Sequence, residues 1–418
     1  MKKIIQSLLR PKKKLKKKRF SKMASLEDLD LFGKTVLLRA DFNVPIKNGR
    51  ILDNYKIKQT LPTIKELIRN RCKIVIVSHL GRPRGKANPK FSLAPIAKEL
   101  TKLLPRKTVH FLHHCIGKDV KDRIKKSKQG QIILLENLRF YIEEEQKDLS
   151  FAHSLANLAD VYVFDAFAVA HRRHSSTVLI PAFLPSAQGL LVQDEVETIT
   201  AARSTKEKSL WIIGGAKLDK LPLVKAALDN SEWVYVAGAL CFSFLRAKGV
   251  HVGHSKFSKE SIQVAKEILQ HKNAKKIILP EDIVCSNSIL SKGKTTTVNI
   301  DQIPSSAIGL DIGKKSTEKI LTLMKNAKQI IWNGPLGYTE DNRYRKATNA
   351  VIKELQVTHA RTICGGGETS ELLVKQKARN KITHTSTGGG ATLALLSKKR
   401  MPALDALAKS AKKFYLFE

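Results

Sequence analysis

The sequence predicts an α/β protein of two lobes, each a parallel sheet flanked by helices. Three observations predict it: a length of 418 residues, short β-branched runs alternating with longer amphipathic ones, and cationic or glycine-rich segments directly after those runs. A chain of this length exceeds one ordinary domain and suits two, each large enough to bury its own core. With 42% hydrophobic and 27% charged residues the composition is globular and excludes a mainly disordered chain.

Taken in order, the alternation places strands of the first half at Thr35–Asp41, Lys73–Ser78, Gln131–Leu135 and Val161–Phe164. The second half offers Ser209–Ile213, Trp233–Ala237, Lys276–Leu279, Gln329–Trp332 and Arg361–Cys364. Between them lie helical stretches such as Leu61–Arg71, with Pro62 suited to a first turn, and Ser92–Leu104. No stretch approaches the ~20 uninterrupted apolar residues that would span a bilayer.

The strand ends carry the functional signal, because open parallel sheets bind ligands beyond the carboxyl ends of their strands. In the first half these ends are polar and cationic: Asp41-Phe42-Asn43, His79-Leu80-Gly81-Arg82, Glu136-Asn137-Leu138-Arg139 and His171-Arg172-Arg173-His174. In the second they are rich in glycine: Gly214-Gly215-Ala216-Lys217, Gly334-Pro335-Leu336-Gly337, Gly365-Gly366-Gly367 and Gly388-Gly389-Gly390. One lobe is expected to grip an anion with side chains, the other with backbone. Glycine lets main-chain N–H groups approach phosphate oxygens, and a following helix such as Glu368–Lys377 adds its positive end. A single glycine run is commonly only a turn; several at successive strand ends are much harder to dismiss. Gly33-Lys34-Thr35 and Gly293-Lys294-Thr295 mimic the end of a P-loop, yet Asp28 and Ser288 stand where its first glycine belongs. His110, His113, His114 and Cys115 match no common structural zinc spacing.

Charge is the unusual feature. Lys and Arg total 75 against 37 Asp and Glu, a net +38, and residues 1–22 hold eleven basic side chains with no acid. The remaining 396 residues still carry 64 basic and 37 acidic groups. Such a field draws nucleotides and phosphorylated metabolites, and would also hold nucleic acid or an anionic surface without reading sequence. Residues 1–22 are expected to form a disordered basic arm able to make such nonspecific contacts. Five cysteines, odd in number and without a C-x-x-C pair, fit buried thiols in a cytosolic protein.

The motifs Asp41-Phe42-Asn43-Val44-Pro45, Ser78-His79-Leu80-Gly81-Arg82-Pro83, Leu135-Glu136-Asn137-Leu138-Arg139-Phe140, Gly214-Gly215-Ala216-Lys217, Trp332-Asn333-Gly334-Pro335 and Ser386-Thr387-Gly388-Gly389-Gly390-Ala391 resemble those of phosphoglycerate kinases, over about Met23 to Leu404. The resemblance implies a monomer with two Rossmann-like lobes, hinge bending between them, and Mg²⁺ accompanying ADP or ATP. It divides the chain into an amino-terminal 3-phosphoglycerate-binding domain over 23–188, an interdomain helix over 189–203, a nucleotide-binding domain over 204–396, and a segment over 397–418 returning toward the first lobe. The reaction implied is reversible transfer of the acyl phosphate of 1,3-bisphosphoglycerate to ADP. The runner-up reading is a weakened relative that binds nucleic acid or anionic surfaces through the arm.

Carried over by position, the resemblance assigns substrate binding to Asp41, Phe42, Asn43, Lys56, His79, Leu80, Gly81, Arg82, Arg139 and Arg172, with His171 and His174 nearby. It assigns the nucleotide to Lys217, Gly309, Leu310, Asn333, Glu340, Gly366, Gly367, Glu368 and Thr369. Lys56, Lys217 and the backbone of Gly388, Gly389 and Gly390 would surround the transferred group. No general base is needed, because the accepting carboxylate is already ionised at neutral pH. The chain also departs from the family pattern. Lys56 stands in Asp53-Asn54-Tyr55-Lys56-Ile57 where the family has arginine, Lys220 follows Lys217 by three positions rather than four, and Glu368 replaces an aspartate near the metal. Ala168-Val169, Arg173, Ala237 and Ala239 depart as well.

Overall fold

The computed structural model describes residues 23–205, 207–217, 220–289 and 293–415; the basic arm expected over 1–22 lies outside them. The first sheet joins β1 (Thr35–Ala40), β4 (Lys73–Val77), β5 (Val109–Leu112), β6 (Ile132–Leu135), β7 (Val161–Asp165) and β8 (Ser186–Gln188), all parallel, in the order β5-β6-β4-β1-β7-β8. A short antiparallel hairpin, β2 (Ile46–Lys47) and β3 (Arg50–Ile51), rises beside it. The second sheet joins β9 (Ser209–Ile213), β10 (Trp233–Val236), β11 (Ile277–Ile278), β15 (Gln329–Asn333), β16 (Arg361–Gly365) and β17 (His384–Thr385), in the order β11-β10-β9-β15-β16-β17. Each is covered on both faces, which is why its strands read as near-continuous apolar runs. Val36 and Leu38 face one core of the first lobe, while Leu37 belongs to a second that runs unbroken into the core around Leu210 and Trp332.

In both sheets the chain starts near the middle, winds to one edge, then returns to the other side of its first strand. The reversal falls between β1 and β7 in the first lobe and between β9 and β15 in the second. Crevices at such points are where open sheets take ligands, and the loops after these four strands carry the cationic and glycine segments.

Three features differ from the sequence expectation. A three-stranded antiparallel sheet of β12 (Asp282–Ser286), β13 (Thr295–Asn299) and β14 (Ile308–Ile312) leans on the second lobe. Helix α1 runs from Tyr55 to Arg69, so Pro62 lies inside it rather than in its first turn. Its start is set earlier because the Asp53 carboxylate accepts the Tyr55 N–H at 2.9 Å, filling one of the unpaired donors of a helix start. Short strands β5, β8 and β17 extend the two sheets beyond the expected set.

Helix α2 (Leu190–Ser204) links the lobes. Helices α3 (Gly367–Lys375) and α4 (Gly390–Leu396) follow glycine loops of the second lobe, and α5 (Pro402–Tyr415) returns to the first. There Ala403 N–H donates to the Ala170 carbonyl at 3.1 Å, Lys413 Nζ to the Ala182 carbonyl at 2.8 Å, and Ala411 packs with Ala24 and Ala187. Among the described residues no helix is long and apolar enough to cross a membrane, and no three His, Cys, Asp or Glu side chains group as a metal site.

Candidate active site

The cleft between the lobes encloses a cavity of about 870 Å³, lined from the first lobe by Asp41, Asn43, Lys56, His79, Gly81, Arg82, Arg139 and Arg172 and from the second by Gly366, Gly367 and Gly388–Gly390. A second cavity of about 380 Å³ lies deeper in the second lobe, with Gly309, Leu310, Glu340 and Glu368 in its walls. The first turn of α3 separates the two, since Gly366 and Gly367 line one and Glu368 the other.

On the first-lobe side the anchor is Asp41, 2% exposed. Its Oδ2 lies 2.7 Å from Lys56 Nζ on the first turn of α1, and its Oδ1 accepts the Asn43 N–H at 3.0 Å. Asn43 Oδ1 in turn accepts the Gly81 N–H at 3.0 Å, and Arg139 donates to the Gly81 carbonyl at 2.6 Å. The strand-end loops are thus bonded to one another. Beneath them lies Arg39, fully buried in β1, whose Nε donates to Ser176 Oγ at 2.9 Å and whose Nη2 lies 3.3 Å from His79 Nδ1. A guanidinium can only donate, so His79 Nδ1 accepts and the ring proton sits on Nε2. Burial, reinforced by Arg39 and Arg139, holds the His79 pKa well below its ordinary value, and the same causes take His174 down to about 3. Both imidazoles are therefore neutral near pH 7, and the positive field of the cleft comes from its guanidiniums and Lys56.

Phe42 and Leu80, expected at the substrate, are buried core residues and do not line the cavity. Their backbone donors are committed as well: Phe42 N–H to Ser78 Oγ at 2.9 Å, and Leu80 N–H to Asn137 Oδ1 at 3.2 Å.

On the second-lobe side the two lysines stand differently from the sequence expectation. Lys217 is exposed and lines neither cavity. Lys220 is 5% exposed, and its ammonium donates to the Gly214 carbonyl at 2.7 Å, in the midst of the glycine loops. A Cβ on Gly334, which has φ +93°, would collide with that ammonium and with the Gly214 carbonyl. Glu368 Oε2 also borders Gly215, 3.4 Å from where a Cβ there would stand. Thr369 is buried and its hydroxyl accepts the Gly334 N–H at 2.8 Å, so it braces the loop instead of lining a cavity. Asn333, 1% exposed at the end of β15, leaves both its Nδ2 and Oδ1 without a hydrogen-bond partner among the described residues. A buried amide in that state is uncommon and suits a polar ligand over Gly366, whose Cβ position is 3.5 Å away. Sequence reasoning missed Arg39, which reads as an interior strand residue, and weighted Lys217 above Lys220.

The triglycine segment is set against the opposite lobe. A Cβ on Gly388 would strike the Phe167 ring, and one on Gly390 would stand 3.3 Å from His171 Nε2. Close approach requires glycine at Gly388 and leaves Gly390 little room. The residue before the segment, Thr387, gives its N–H and hydroxyl to Glu195 Oε1 on α2 at 2.6 and 2.7 Å, and His384 lies 2.9 Å from Glu195 Oε2 and 3.4 Å from Asp194 Oδ2. A second link joins the lobes at the cleft mouth: Arg379 pairs with Asp53 at 3.0 Å and stacks on Tyr55, whose hydroxyl donates to the Thr385 carbonyl at 2.7 Å.

Burial opposes the charged form of His384, but hydrogen bonds to Asp194 and Glu195 outweigh it and raise the pKa from 6.5 to about 9. A group raised on folding contributes stability that is complete below its unfolded value and lost as pH climbs through the folded one. The melting-temperature gap between the natural chain and His384→Gln should therefore be widest below about pH 6.5 and shrink through about pH 9. A gap that stays constant across that window would show that the imidazolium does not stabilise this contact between the lobes.

Two facing anion sites, one cationic and one built on glycine loops, on lobes wound from parallel sheets, define a bilobal phosphotransferase. The family model described as phosphoglycerate kinase matches residues 26–399, and the chain belongs to that family. Among curated relatives, the phosphoglycerate kinase of Thermosipho africanus is 40% identical over 396 residues, covering 93% of this chain and 98% of that protein. That of Borrelia garinii is also 40% identical, over 392 residues, covering 92% and 99%. Among solved structures, phosphoglycerate kinase from Coxiella burnetii matches with a TM-score of 0.81 at 33% identity, covering 94% of this chain and 100% of that one. The Pyrococcus horikoshii enzyme matches with the same TM-score of 0.81 at 31% identity.

Proposed function

We propose that this chain transfers the acyl phosphate of 1,3-bisphosphoglycerate to ADP, reversibly, giving 3-phosphoglycerate and ATP. The observation that carries the reading is that the cationic face of the first lobe and the glycine loops of the second line one cavity, adjoining a second across the first turn of α3. Arg82, Arg139 and Arg172 would hold the phosphoglycerate, since a planar guanidinium can engage phosphate oxygens through two hydrogen bonds. The nucleotide would occupy the deeper cavity, with Glu340 toward the ribose and its phosphates over the N–H groups of Gly366 and Gly367. Lys56 and the backbone of Gly388–Gly390 would face the transferred group, and Lys220 or Lys217 would meet it from the nucleotide side.

In the ATP-forming direction the bond between the acyl oxygen and phosphorus breaks and a bond from the ADP β-phosphate oxygen forms. The leaving carboxylate is stable as an anion, so no proton must move. The protein's task is then positioning, exclusion of water as the lobes close, and stabilisation of charge. Glu368 suits Mg²⁺, being a carboxylate exposed on the nucleotide cavity beside the glycine loops, and this ion is commonly held by one or two carboxylates with nucleotide phosphates. When bound, Mg²⁺ would neutralise charge on the phosphates. Five buried thiols, none in a disulfide, are in keeping with a cytosolic enzyme, and we take it to act as a monomer as the resemblance implies.

The test is a coupled assay of ATP formation from 1,3-bisphosphoglycerate and ADP with Mg²⁺, on the full chain and on one starting at Met23. Turnover well above background is expected in both. Its absence from both overturns the reading.

A further inference from the structure

The deeper cavity contains a charged side chain that neither the sequence motifs nor the proposed chemistry uses. Its walls near Gly309 are apolar, formed by Phe242, Ile283, Leu310 and Leu336, and Lys256 joins them from the rim. The Lys256 side chain makes no hydrogen bond or ion pair with any described residue. Its place is nonetheless fixed by the backbone before it. His254 N–H donates to the Ala307 carbonyl at 2.8 Å, and Gly309 N–H donates to Ser255 Oγ at 2.9 Å, so the segment is laced to the strand that forms the cavity wall. Gly253, at φ +55°, lies so close that a Cβ would strike the Ala307 carbonyl.

The other ionisable groups of this cavity do not occupy Lys256. Asp311 is 3% exposed, its carboxyl accepts the N–H groups of Ile312 and Ala347 at 2.9 and 3.2 Å, and burial raises its pKa to about 7. Glu340 and Glu368 are exposed, and neither pairs with Lys256.

We propose that Lys256 selects the nucleotide base, favouring a 6-oxopurine such as guanine or hypoxanthine over adenine. This inference rests on reading the cavity as the nucleotide site. An ammonium offers three donors and no acceptor. A 6-oxopurine presents it with two neighbouring acceptors, O6 and N7, the pair that lysine engages most often when it reads guanine. Adenine keeps N7 but carries an amino donor at C6, which an ammonium meets with like polarity. Lys256 meets the base from the exposed rim, so the contrast acts through this one hydrogen-bonding contact rather than through burial of the ammonium.

The experiment compares ADP, GDP, IDP and 7-deaza-GDP as acceptors for 1,3-bisphosphoglycerate and as ligands in equilibrium binding, on the full chain and on Lys256→Leu. Because Lys256 is exposed, the substitution should leave folding intact, which a melting curve checks. Lys256→Leu should lower the ratio of kcat/KM for GDP to that for ADP by about tenfold. In the natural chain 7-deaza-GDP should bind several-fold more weakly than GDP, and in Lys256→Leu that penalty should vanish. An unchanged GDP-to-ADP ratio with ADP still turned over overturns base selection alone. Failure of all four nucleotides to bind overturns the reading of the cavity together with the inference.

Discussion

Lys56→Ala is expected to lower kcat for ATP formation by at least ~100-fold, the scale of losing one donor aimed at transition-state charge. The expectation comes from placement. Lys56 sits on the first turn of α1, lines the cleft opposite Gly388–Gly390, and is held by Asp41 Oδ2 at 2.7 Å. Removing it also leaves the Asp41 carboxylate in the cleft with a backbone N–H but no cation, which makes the site less welcoming to an anionic substrate. Lys56→Arg separates the two contributions. It restores the partner of Asp41 and supplies a planar fork, so it should retain activity and, if fork geometry matters, exceed the natural chain. Measured in the coupled assay, an undiminished kcat for Lys56→Ala would take this residue out of the mechanism.

Glu195→Ala should be the most destabilising single change where α2 meets the triglycine segment, costing about 3–5 kcal/mol, because it removes one partner of a buried ion pair. Glu195 is fully buried and serves three donors at once: Thr387 N–H, Thr387 Oγ1 and His384 Nε2. After truncation His384 keeps only Asp194, and the Thr387 N–H loses its acceptor. The melting temperature should fall by about 3–6 °C. Turnover should fall too, since the same carboxylate fixes the residue preceding Gly388. Glu195→Gln, which keeps a carbonyl oxygen for Thr387, should lose less of both. A melting temperature within about 1 °C of the natural chain for Glu195→Ala would show that the contact of α2 with the triglycine segment does not depend on this carboxylate.

The fold was legible wherever strands are covered on both faces, because burial demands continuous apolar runs such as Ile132–Leu135 and Ser209–Ile213. It was illegible where pairing rather than burial makes the strand. Thr295–Asn299 is polar and mostly exposed, and is a strand only through its ladder with Asp282–Ser286. The site was legible in the same uneven way. Asp41, His79, Arg139 and the glycine loops stand at strand ends, where position alone marks them. Arg39 was hidden because a charge inside a buried strand carries no pattern, and its role comes from Ser176 and His79, which are remote in sequence. Lys220 was hidden for a different reason: a shift of one residue in a loop leaves spacing uninformative, and only the fold brings its ammonium to Gly214.

The return of α5 to the first lobe makes that lobe discontinuous in the chain. The surface around Ala170, Ala182 and Ala187 that α5 covers is made early in synthesis, yet its cover is encoded more than 200 residues later. At ribosomal rates of roughly 5–20 residues per second, a nascent first lobe waits ten seconds or more for its last helix. During that interval the first lobe presents an uncovered apolar seam to chaperones and to its own copies. Loss of the final helix should therefore be felt first as aggregation during synthesis, before any effect on chemistry in the cleft.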